Sequence, residues 1–98
     1  MAKKLTYVHG KQQVAVSQTT IKKIIWSKEF GFGVEDGGKN IPYRESYEKW
    51  PANKQWNYER GRIFGFRMGN VPIKDGKKVL KSAIYSYAAL CNSGDLCG

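Results

Sequence analysis

Strand-forming residues near the start of the chain predict a β-hairpin. Residues 5–8 and 14–16 are rich in β-branched and aromatic side chains, which favour strands. The segment between the two runs contains Gly10, a residue type that permits a tight turn. Because an isolated two-stranded hairpin is marginally stable in water, we expect its apolar face to pack on the segments that follow.

Apolar residues at helical spacing predict a first helix. Three isoleucines lie between residues 21 and 25, at separations that place them on one face of a helix. Thr20 precedes them and is a residue type that caps helix N-termini, so we expect this helix to run from Thr20 to Asp36. The two glycines within residues 30–34 each cost a helix about 1 kcal/mol relative to alanine, which leaves helix and strand as open alternatives there.

A loop with two prolines is expected after the first helix. Pro42 and Pro51 interrupt regular structure because proline lacks an amide donor and fixes its own φ. One helical turn is expected near residues 46–50. The bond between Trp50 and Pro51 is left open between cis and trans.

The second helix is predicted from about residue 52 to residue 68. Gly69 and Asn70 form a typical stop signal, and Pro72 lies just beyond them. Helical spacing places one group of side chains on a common face, which is expected to pack in the core: Trp56, Ile63, Phe64 and Arg67.

A third helix has the clearest amphipathic pattern. Asp75 is expected to cap it, and residues 92–94 are expected to end it. Its wide apolar stripe comprises Val79, Leu80, Ala83, Ile84, Tyr87, Ala88 and Cys91. The sequence therefore predicts an α+β fold, mostly helical, in which a short N-terminal β-hairpin packs on about three α-helices.

Positive charge dominates the composition. The chain has 98 residues, a mass of 11.1 kDa and a formal net charge of +9, which predicts one small basic domain over residues 1–98. Residues 1–28 contain six basic and no acidic residues, and residues 60–81 contain seven basic residues against one acidic residue. The segment between these blocks is close to neutral. This distribution favours an acidic partner.

The hydropathy of the chain predicts a cytoplasmic protein without a membrane partner. No run of residues is long and apolar enough to predict a membrane span, and the first residues lack the apolar stretch of a secretory signal. Cys91 and Cys97 are therefore expected to be reduced thiols.

Few residues of the sequence suit catalysis. His9 is the only histidine and falls in a predicted turn, with no nearby serine or carboxylate to share a proton with it. The two cysteines lack the spacing of a zinc site, and the glycine-rich residues 30–39 lack the Lys-Ser/Thr pair of a phosphate loop. We expect no enzymatic activity, no cofactor, no bound metal and no small-molecule substrate.

Residues 56–67 hold the densest mixture of arginine and aromatic side chains. One interpretation is a core helix in which Gly61 and Gly65 let a neighbouring helix pack closely. Another is a contact surface, because arginine and tyrosine are favoured at protein interfaces and on nucleic acids. Both hold if one face packs and the other stays free. The predicted contact residues for a protein or nucleic-acid partner are Arg60, Arg62, Arg67, Tyr58 and Phe66, with Lys22, Lys23, Lys77 and Lys78 steering the encounter.

Two local motifs resemble RNA-binding families. Residues 28–32 resemble the Lys-Gly-Phe-Gly-Phe strand of cold-shock domains, which implies stacking of bases on aromatic rings. A second motif resembles ribosome modulation factor and its small basic relatives, which have two short glycine-bearing helices with an intervening Pro-Tyr. This resemblance implies a cytoplasmic protein that binds ribosomal RNA through arginines and lysines, and it rests on Gly33, Gly37, Gly38, Pro42, Tyr43, Trp56 and Gly61.

As a whole, the chain is similar in type to small basic phage proteins that disable or redirect host DNA machinery. It resembles the anti-RecBCD proteins of P22-like phages, which modulate the host recombination nuclease-helicase. The resemblance implies a non-enzymatic protein in the host cytoplasm that docks on a host protein involved in DNA processing. At +9 such a chain cannot mimic DNA, so it is expected to bind an acidic protein surface, or protein and nucleic acid together.

Overall fold

The chain divides into two compact units. In the computed structural model, the backbone is described for residues 4–9, 12–69, 71–94 and 96, and side chains are described from residue 20 onward. A central unit, Ser27–Val71, is inserted into a terminal unit formed by Met1–Trp26 and Pro72–Gly98. The sequence predicts one domain over the same residues.

The terminal unit begins with two antiparallel strands, β1 (Lys4–His9) and β2 (Gln12–Ser17). Leu5 lies opposite Val16, and Tyr7 lies opposite Val14. Helix α1 (Gln18–Trp26) follows β2 directly. The side chain of His9 lies outside the described ones.

Two helices and Leu96, which follows α4, supply the described core of the terminal unit. Helix α4 (Lys81–Asn92) contacts both α1 and β1. Ile21 and Ile25 of α1 are fully buried one turn apart, as their spacing predicts. The buried side chains of α4 are Ala83, Ile84, Tyr87, Leu90 and Cys91, so most of the predicted apolar stripe is confirmed.

A second, very short hairpin precedes α4, and here the prediction that Asp75 caps the helix is wrong. Strands β3 (Lys74–Asp75) and β4 (Lys78–Val79) pair around a turn. Gly76 adopts a φ of 60°, which glycine reaches at little steric cost. This turn keeps Asp75 in a strand, and the helix begins only at Lys81.

The central unit begins with α2 (Lys28–Gly38), which is separate from α1. The single helix predicted from Thr20 to Asp36 is therefore wrong in two respects: α1 already begins at Gln18, so Thr20 lies inside the helix and does not cap it, and the helix breaks at Ser27. Ser27 has an extended backbone, and its hydroxyl accepts a hydrogen bond from the Phe30 amide at 3.2 Å. This is the geometry of an N-cap, so the serine ends one helix and starts the next. Residues 30–34 are helical, unlike the strand of a cold-shock motif.

A 3-10 helix, Glu45–Lys49, occupies the loop after α2, which confirms the helical turn predicted near residues 46–50. Within the described residues the peptide bonds are all trans, including the one between Trp50 and Pro51. Pro51 then occupies the N-cap position of the long helix α3 (Ala52–Met68), whose bounds agree with the prediction.

The buried face of α3 differs from the predicted one. Tyr58, Gly61, Phe64 and Gly65 are buried, whereas Trp56 and Arg67 are exposed. The hydrophobic pattern misplaces this face because two of its members are glycines, which contribute backbone contact but no apolar side chain. Phe64 packs on Phe30 of α2 with ring centroids 5.6 Å apart.

Four glycines let α2 and α3 approach at backbone distance. Gly33 of α2 faces Gly61 of α3, Gly37 faces the Arg62 backbone, and Gly65 faces the backbone of Val34 and Gly38. Both members of the predicted close-packing pair, Gly61 and Gly65, therefore serve that role. A Cβ atom on Gly33 would lie 2.7 Å from the Arg62 amide nitrogen, and one on Gly65 would lie 2.8 Å from the Val34 carbonyl carbon. Real Cβ atoms do not come this close to backbone, so larger residues would push the helices apart.

The expectation of reduced thiols is wrong for Cys91, which lies near the C-terminal end of α4. Cys91 is disulfide-bonded, and Cys97 lies outside the described residues. After α4 the chain reverses at Gly94, where φ is 83°, and the Leu96 amide donates to the Leu90 carbonyl at 3.4 Å. This reversal returns the tail to the last turn of α4, a proximity that the sequence spacing did not reveal.

The described chain is mostly helical, with small antiparallel strand pairs, which confirms the predicted class at that level. Within the part of the chain that the structure describes, every helix is too short or too polar to cross a membrane.

Substitution of Gly33 by alanine is expected to destabilise the central unit. The added methyl group would meet the α3 backbone, and overpacking of this kind costs about 1–3 kcal/mol. We expect Gly33→Ala to lower the melting temperature, followed by circular dichroism, by at least about 5 °C.

Gly31 offers a matched control in the same helix. A Cβ atom there meets no atom within 4 Å, so Gly31→Ala should stabilise the helix by about 0.5–1 kcal/mol through backbone entropy. Equal melting temperatures for the two variants would contradict the close contact between α2 and α3.

Candidate functional site

The hydroxyl of Tyr58 organises the central unit around a buried carboxylate. Tyr58 is 0% exposed and donates a hydrogen bond of 2.6 Å to Oδ2 of Asp36. The same hydroxyl oxygen accepts from the Arg44 backbone amide at 3.2 Å and from Nη1 of Arg62 at 3.3 Å. Its donor and both acceptor positions are thus used.

Asp36 also forms a two-point ion pair with Arg44. Nε of Arg44 lies 2.8 Å from Oδ2 of Asp36, and Nη2 lies 3.2 Å from Oδ1, the fork geometry that makes arginine–carboxylate pairs strong. This pair ties the end of α2 to the loop that carries Arg44. Nη2 of Arg62 donates to the Ile41 carbonyl at 2.6 Å and fixes the same loop from α3.

The contacts of Asp36 and Tyr58 shift their pKa values in opposite directions. Burial disfavours the charged form of Asp36, but the hydrogen bonds from Arg44 and Tyr58 and the positive charges of Arg44 and Arg62 outweigh it, so the pKa of Asp36 lies below 3.8. Burial and the hydrogen bond to Asp36 raise the pKa of Tyr58. Asp36 therefore stays ionised and Tyr58 stays protonated at neutral pH.

Four aromatic rings pack together on the loop side of α3. Tyr43, Tyr47 and Trp50 each lie with ring centroids 5.3–5.7 Å from that of Tyr58. Most of these pairs are edge-to-face, the arrangement that aromatic quadrupoles favour. Because Tyr58 is fixed by its hydroxyl, the rings around it are held in place as well.

Glu59 joins two of these tyrosines by their hydroxyl groups. Tyr47 donates to Oε2 of Glu59 at 2.9 Å, and Tyr43 donates to Oε1 at 3.3 Å. Burial and this carboxylate raise the pKa of Tyr47 to about 12 and raise that of Tyr43. Both phenols are therefore neutral hydrogen-bond donors at physiological pH.

An open groove of about 350 Å³ lies beside this network on α2, its following loop and α3. Phe66 borders the groove and is 67% exposed, and Tyr43 is half-exposed. The residues that line the groove, in chain order, are Gly37, Asn40, Tyr43, Glu59, Arg62, Ile63 and Phe66. We call these residues the aromatic groove.

The structure distributes the five predicted contact residues of α3 between interior and surface. Tyr58 belongs to the core, and Arg62 lines the aromatic groove while bonded to the loop. The guanidinium of Arg60 lies 3.8 Å from the ring centroid of Trp56. Phe66 and Arg67 are exposed side by side in the sequence, so these two offer the most accessible surface of the five.

The four predicted lysines all belong to the terminal unit. Lys22 and Lys23 lie on α1, and Lys77 and Lys78 lie at the turn of the β3–β4 hairpin. All four side chains are exposed. They are therefore available to solvent and to a charged partner.

Four residues of the site escape detection in the sequence. Asp36, Arg44 and Glu59 are ordinary charged residues by local pattern, and Tyr43 has only the adjoining Pro42 as a signal. They converge because α2 and α3 are closely packed and the loop between them folds back on both helices, which brings together residues that are 8 to 22 positions apart in the sequence. The glycines of the two helices are the only sequence feature that indicates the close packing of α2 and α3.

Comparison of the chain with protein-family models, with curated proteins and with solved structures gave no match. Among the described residues, no group of three histidine, cysteine, aspartate or glutamate side chains is placed to hold a metal ion. The site is thus interpreted from its own geometry.

Removal of the Asp36 charge is expected to weaken the fold in a pH-dependent way. Because the folded-state pKa of Asp36 lies below 3.8, its ionised form stabilises the fold above about pH 4, and this contribution is lost as the pH falls through the folded-state pKa. Asp36→Asn should lower the free energy of unfolding by about 2–3 kcal/mol at pH 7. The difference from the parent should shrink as the pH falls below about 4.

Urea denaturation at several pH values measures this difference, and Glu45→Gln is its control. Glu45 is an exposed carboxylate of the same unit, so its substitution should change the stability by less than about 0.5 kcal/mol. A deficit of Asp36→Asn that stays constant down to about pH 2 would argue against the ion pair as its source.

Proposed function

We propose that this chain is a non-enzymatic binding protein that docks on a nucleic-acid-processing enzyme and inhibits or redirects it. RecBCD, the nuclease-helicase that the anti-RecBCD proteins of P22-like phages modulate, is the first partner to test. The aromatic groove is the docking site in this proposal. The host protein would supply an apolar or mixed surface that fits it.

The composition of the aromatic groove is the observation that carries this proposal. Its exposed rings belong to Phe66 and Tyr43, and Ile63 adds apolar surface. Its wall includes the carboxylate of Glu59, which would repel a phosphate. Rigid aromatic side chains beside mixed charges are typical of protein interfaces, and the groove therefore suits a protein better than a nucleic-acid backbone.

The internal contacts of Arg62 support the same conclusion. Its guanidinium already donates to the Ile41 carbonyl and the Tyr58 hydroxyl, and it lies 4.5 Å from the ring centroid of Tyr43. Because its donors are used in these internal contacts, Arg62 holds the groove residues in place and is poorly suited to bind a phosphate. Phe66 would then be the anchor of the interface, with the neighbouring Arg67 contributing a charge for an acidic rim.

The alternative function is binding of RNA or the ribosome, as in ribosome modulation factor. The net charge of +9 favours it, because basic chains bind phosphate backbones without sequence preference. The two functions differ in their dependence on salt and on nuclease. A protein interface built on aromatic anchors persists at about 0.3 M salt, at which long-range attraction is largely screened.

Truncation of Phe66 should abolish docking without unfolding the chain. Because Phe66 is mostly exposed, Phe66→Ala removes an interface anchor and little core, and the loss of such an anchor costs about 2 kcal/mol or more. We expect at least about thirtyfold weaker binding to purified RecBCD. Biolayer interferometry at about 0.3 M salt measures it.

Tyr85→Ala is the matched control, since Tyr85 is an exposed ring on α4 of the terminal unit, at 57% exposure. It should bind like the parent. If RecBCD does not bind, a nuclease-treated pull-down from bacterial cells decides between the two functions. A stoichiometric helicase, nuclease or polymerase subunit that Phe66→Ala fails to retain supports the proposal. Recovery of ribosomal subunits, or of nothing after nuclease, would reverse the ranking.

A further inference from the structure

The two units of the chain differ sharply in charge. The central unit, Ser27–Val71, contains eight basic and six acidic residues, whereas the rest of the chain contains nine basic residues and only two acidic ones. Most of the net positive charge therefore belongs to the terminal unit. The aromatic groove, in contrast, lies in the nearly balanced central unit.

One face of α1 carries two lysines and an exposed tryptophan. Lys22 and Lys23 lie four and three residues before Trp26, the spacings that place side chains on a common helical face. Ile21 and Ile25 of the same helix are buried, so this lysine–tryptophan face is the outward one. Trp26 is 47% exposed, which is unusual for so large an apolar ring.

The β3–β4 hairpin brings a further lysine, Lys74, to the end of α1. Nζ of Lys74 donates to the Trp26 carbonyl at 2.8 Å and lies 5.0 Å from the centroid of the Trp26 ring. The hairpin also contacts α1 through β4. Lys77 and Lys78 extend from its turn into solvent. The Trp26 ring thus has the ammonium group of Lys74 beside it, and exposed lysines lie on the same face of α1 and on the turn of the hairpin that contacts α1.

We propose that this surface binds single-stranded nucleic acid. The lysines would neutralise successive phosphates, and the ring of Trp26 would stack on an unpaired base. We call it the lysine surface, and it comprises Lys22, Lys23, Trp26, Lys74, Lys77 and Lys78.

Charge and chemistry favour a nucleic acid over an acidic protein as its occupant. Asp75 is the only acidic side chain described in the terminal unit, and within the described part of the chain none of Lys22, Lys23, Lys77 and Lys78 forms an ion pair. Lysine is a compact, strongly hydrated charge on a flexible stem, which suits a mobile phosphate backbone. An exposed tryptophan among such charges matches the stacking platforms of proteins that bind single strands.

This site is independent of the aromatic groove. If both proposals hold, the chain contacts a processing enzyme through the central unit and a strand of its substrate through the terminal unit. Binding to a naked oligonucleotide tests the lysine surface alone, so its failure leaves the docking proposal untouched.

Fluorescence anisotropy of the full chain with a labelled oligo-dT of about 20 nucleotides is the test. Affinity should fall steeply between about 50 and 200 mM salt, because each neutralised phosphate of a single strand contributes about −0.7 to the log–log slope. The double variant Lys22→Gln/Lys23→Gln should reduce the slope by about 1.4 and weaken binding at least about fivefold at low salt. Lys77→Gln/Lys78→Gln should do the same.

The tryptophan is tested by substitutions that remove or keep an aromatic ring. Trp26→Ala should weaken binding at least about fivefold, which corresponds to about 1 kcal/mol. Trp26→Phe retains a ring and should stay within about twofold of the parent. The circular dichroism of each variant establishes that α1 is intact, and Trp26→Phe keeps the test decisive if Trp26→Ala is unfolded.

The central unit supplies matched controls for both kinds of change. Lys49 and Lys54 are exposed lysines there, and Trp56 is an exposed tryptophan with Arg60 over its ring. Lys49→Gln/Lys54→Gln and Trp56→Ala should leave oligo-dT binding within about twofold of the parent.

Three results would overturn the proposal. The first is a lack of binding at about 50 mM salt. The second is an equal loss in Lys49→Gln/Lys54→Gln and Lys22→Gln/Lys23→Gln, which would assign binding to overall charge. The third is displacement of oligo-dT by polyglutamate at equal charge concentration together with unchanged binding of Trp26→Ala, which would identify a surface for acidic protein.

Discussion

The backbone contact between α2 and α3 at four glycines is the constraint on which the central unit depends. With Gly33 and Gly37 against Gly61 and Gly65, the two helices are close enough for a tyrosine of one to reach a carboxylate of the other. Tyr58 and Asp36 meet in this way at 2.6 Å. Without the glycines the buried Asp36 carboxylate would lose the hydrogen bond from Tyr58, which is costly.

The surface chemistry of the central unit follows from this interior network. The charge of Arg44 is paired with that of Asp36, and the guanidinium of Arg62 donates to the Ile41 carbonyl and the Tyr58 hydroxyl. The most exposed side chain of the groove is the aromatic ring of Phe66. Most of the net positive charge belongs to the terminal unit instead. The net charge of the chain is therefore a poor guide to what the groove binds.

Sequence patterns predict the elements of this fold better than its contacts. The bounds of α3 were predictable because proline, glycine and periodicity act locally. The break at Ser27 was missed because apolar spacing continues across it, and the turn at Gly76 was missed because Asp75 is equally suited to a cap. The network of Asp36 and Tyr58 carries no local signal, since it arises only when two helices pack. The sequence identifies Phe66 and Tyr58 as candidate contact residues, but it does not reveal that Phe66 is exposed and Tyr58 is buried.

Hydrogen–deuterium exchange of the full chain with and without oligo-dT is the most direct test of this division. In our account the terminal unit binds nucleic acid, whereas the arginines of the central unit make internal contacts. We expect oligo-dT to slow exchange in α1 (Gln18–Trp26) and in residues 72–80 and to leave exchange in α3 (Ala52–Met68) unchanged. Protection of α3 around its arginines, with none in α1, would contradict it.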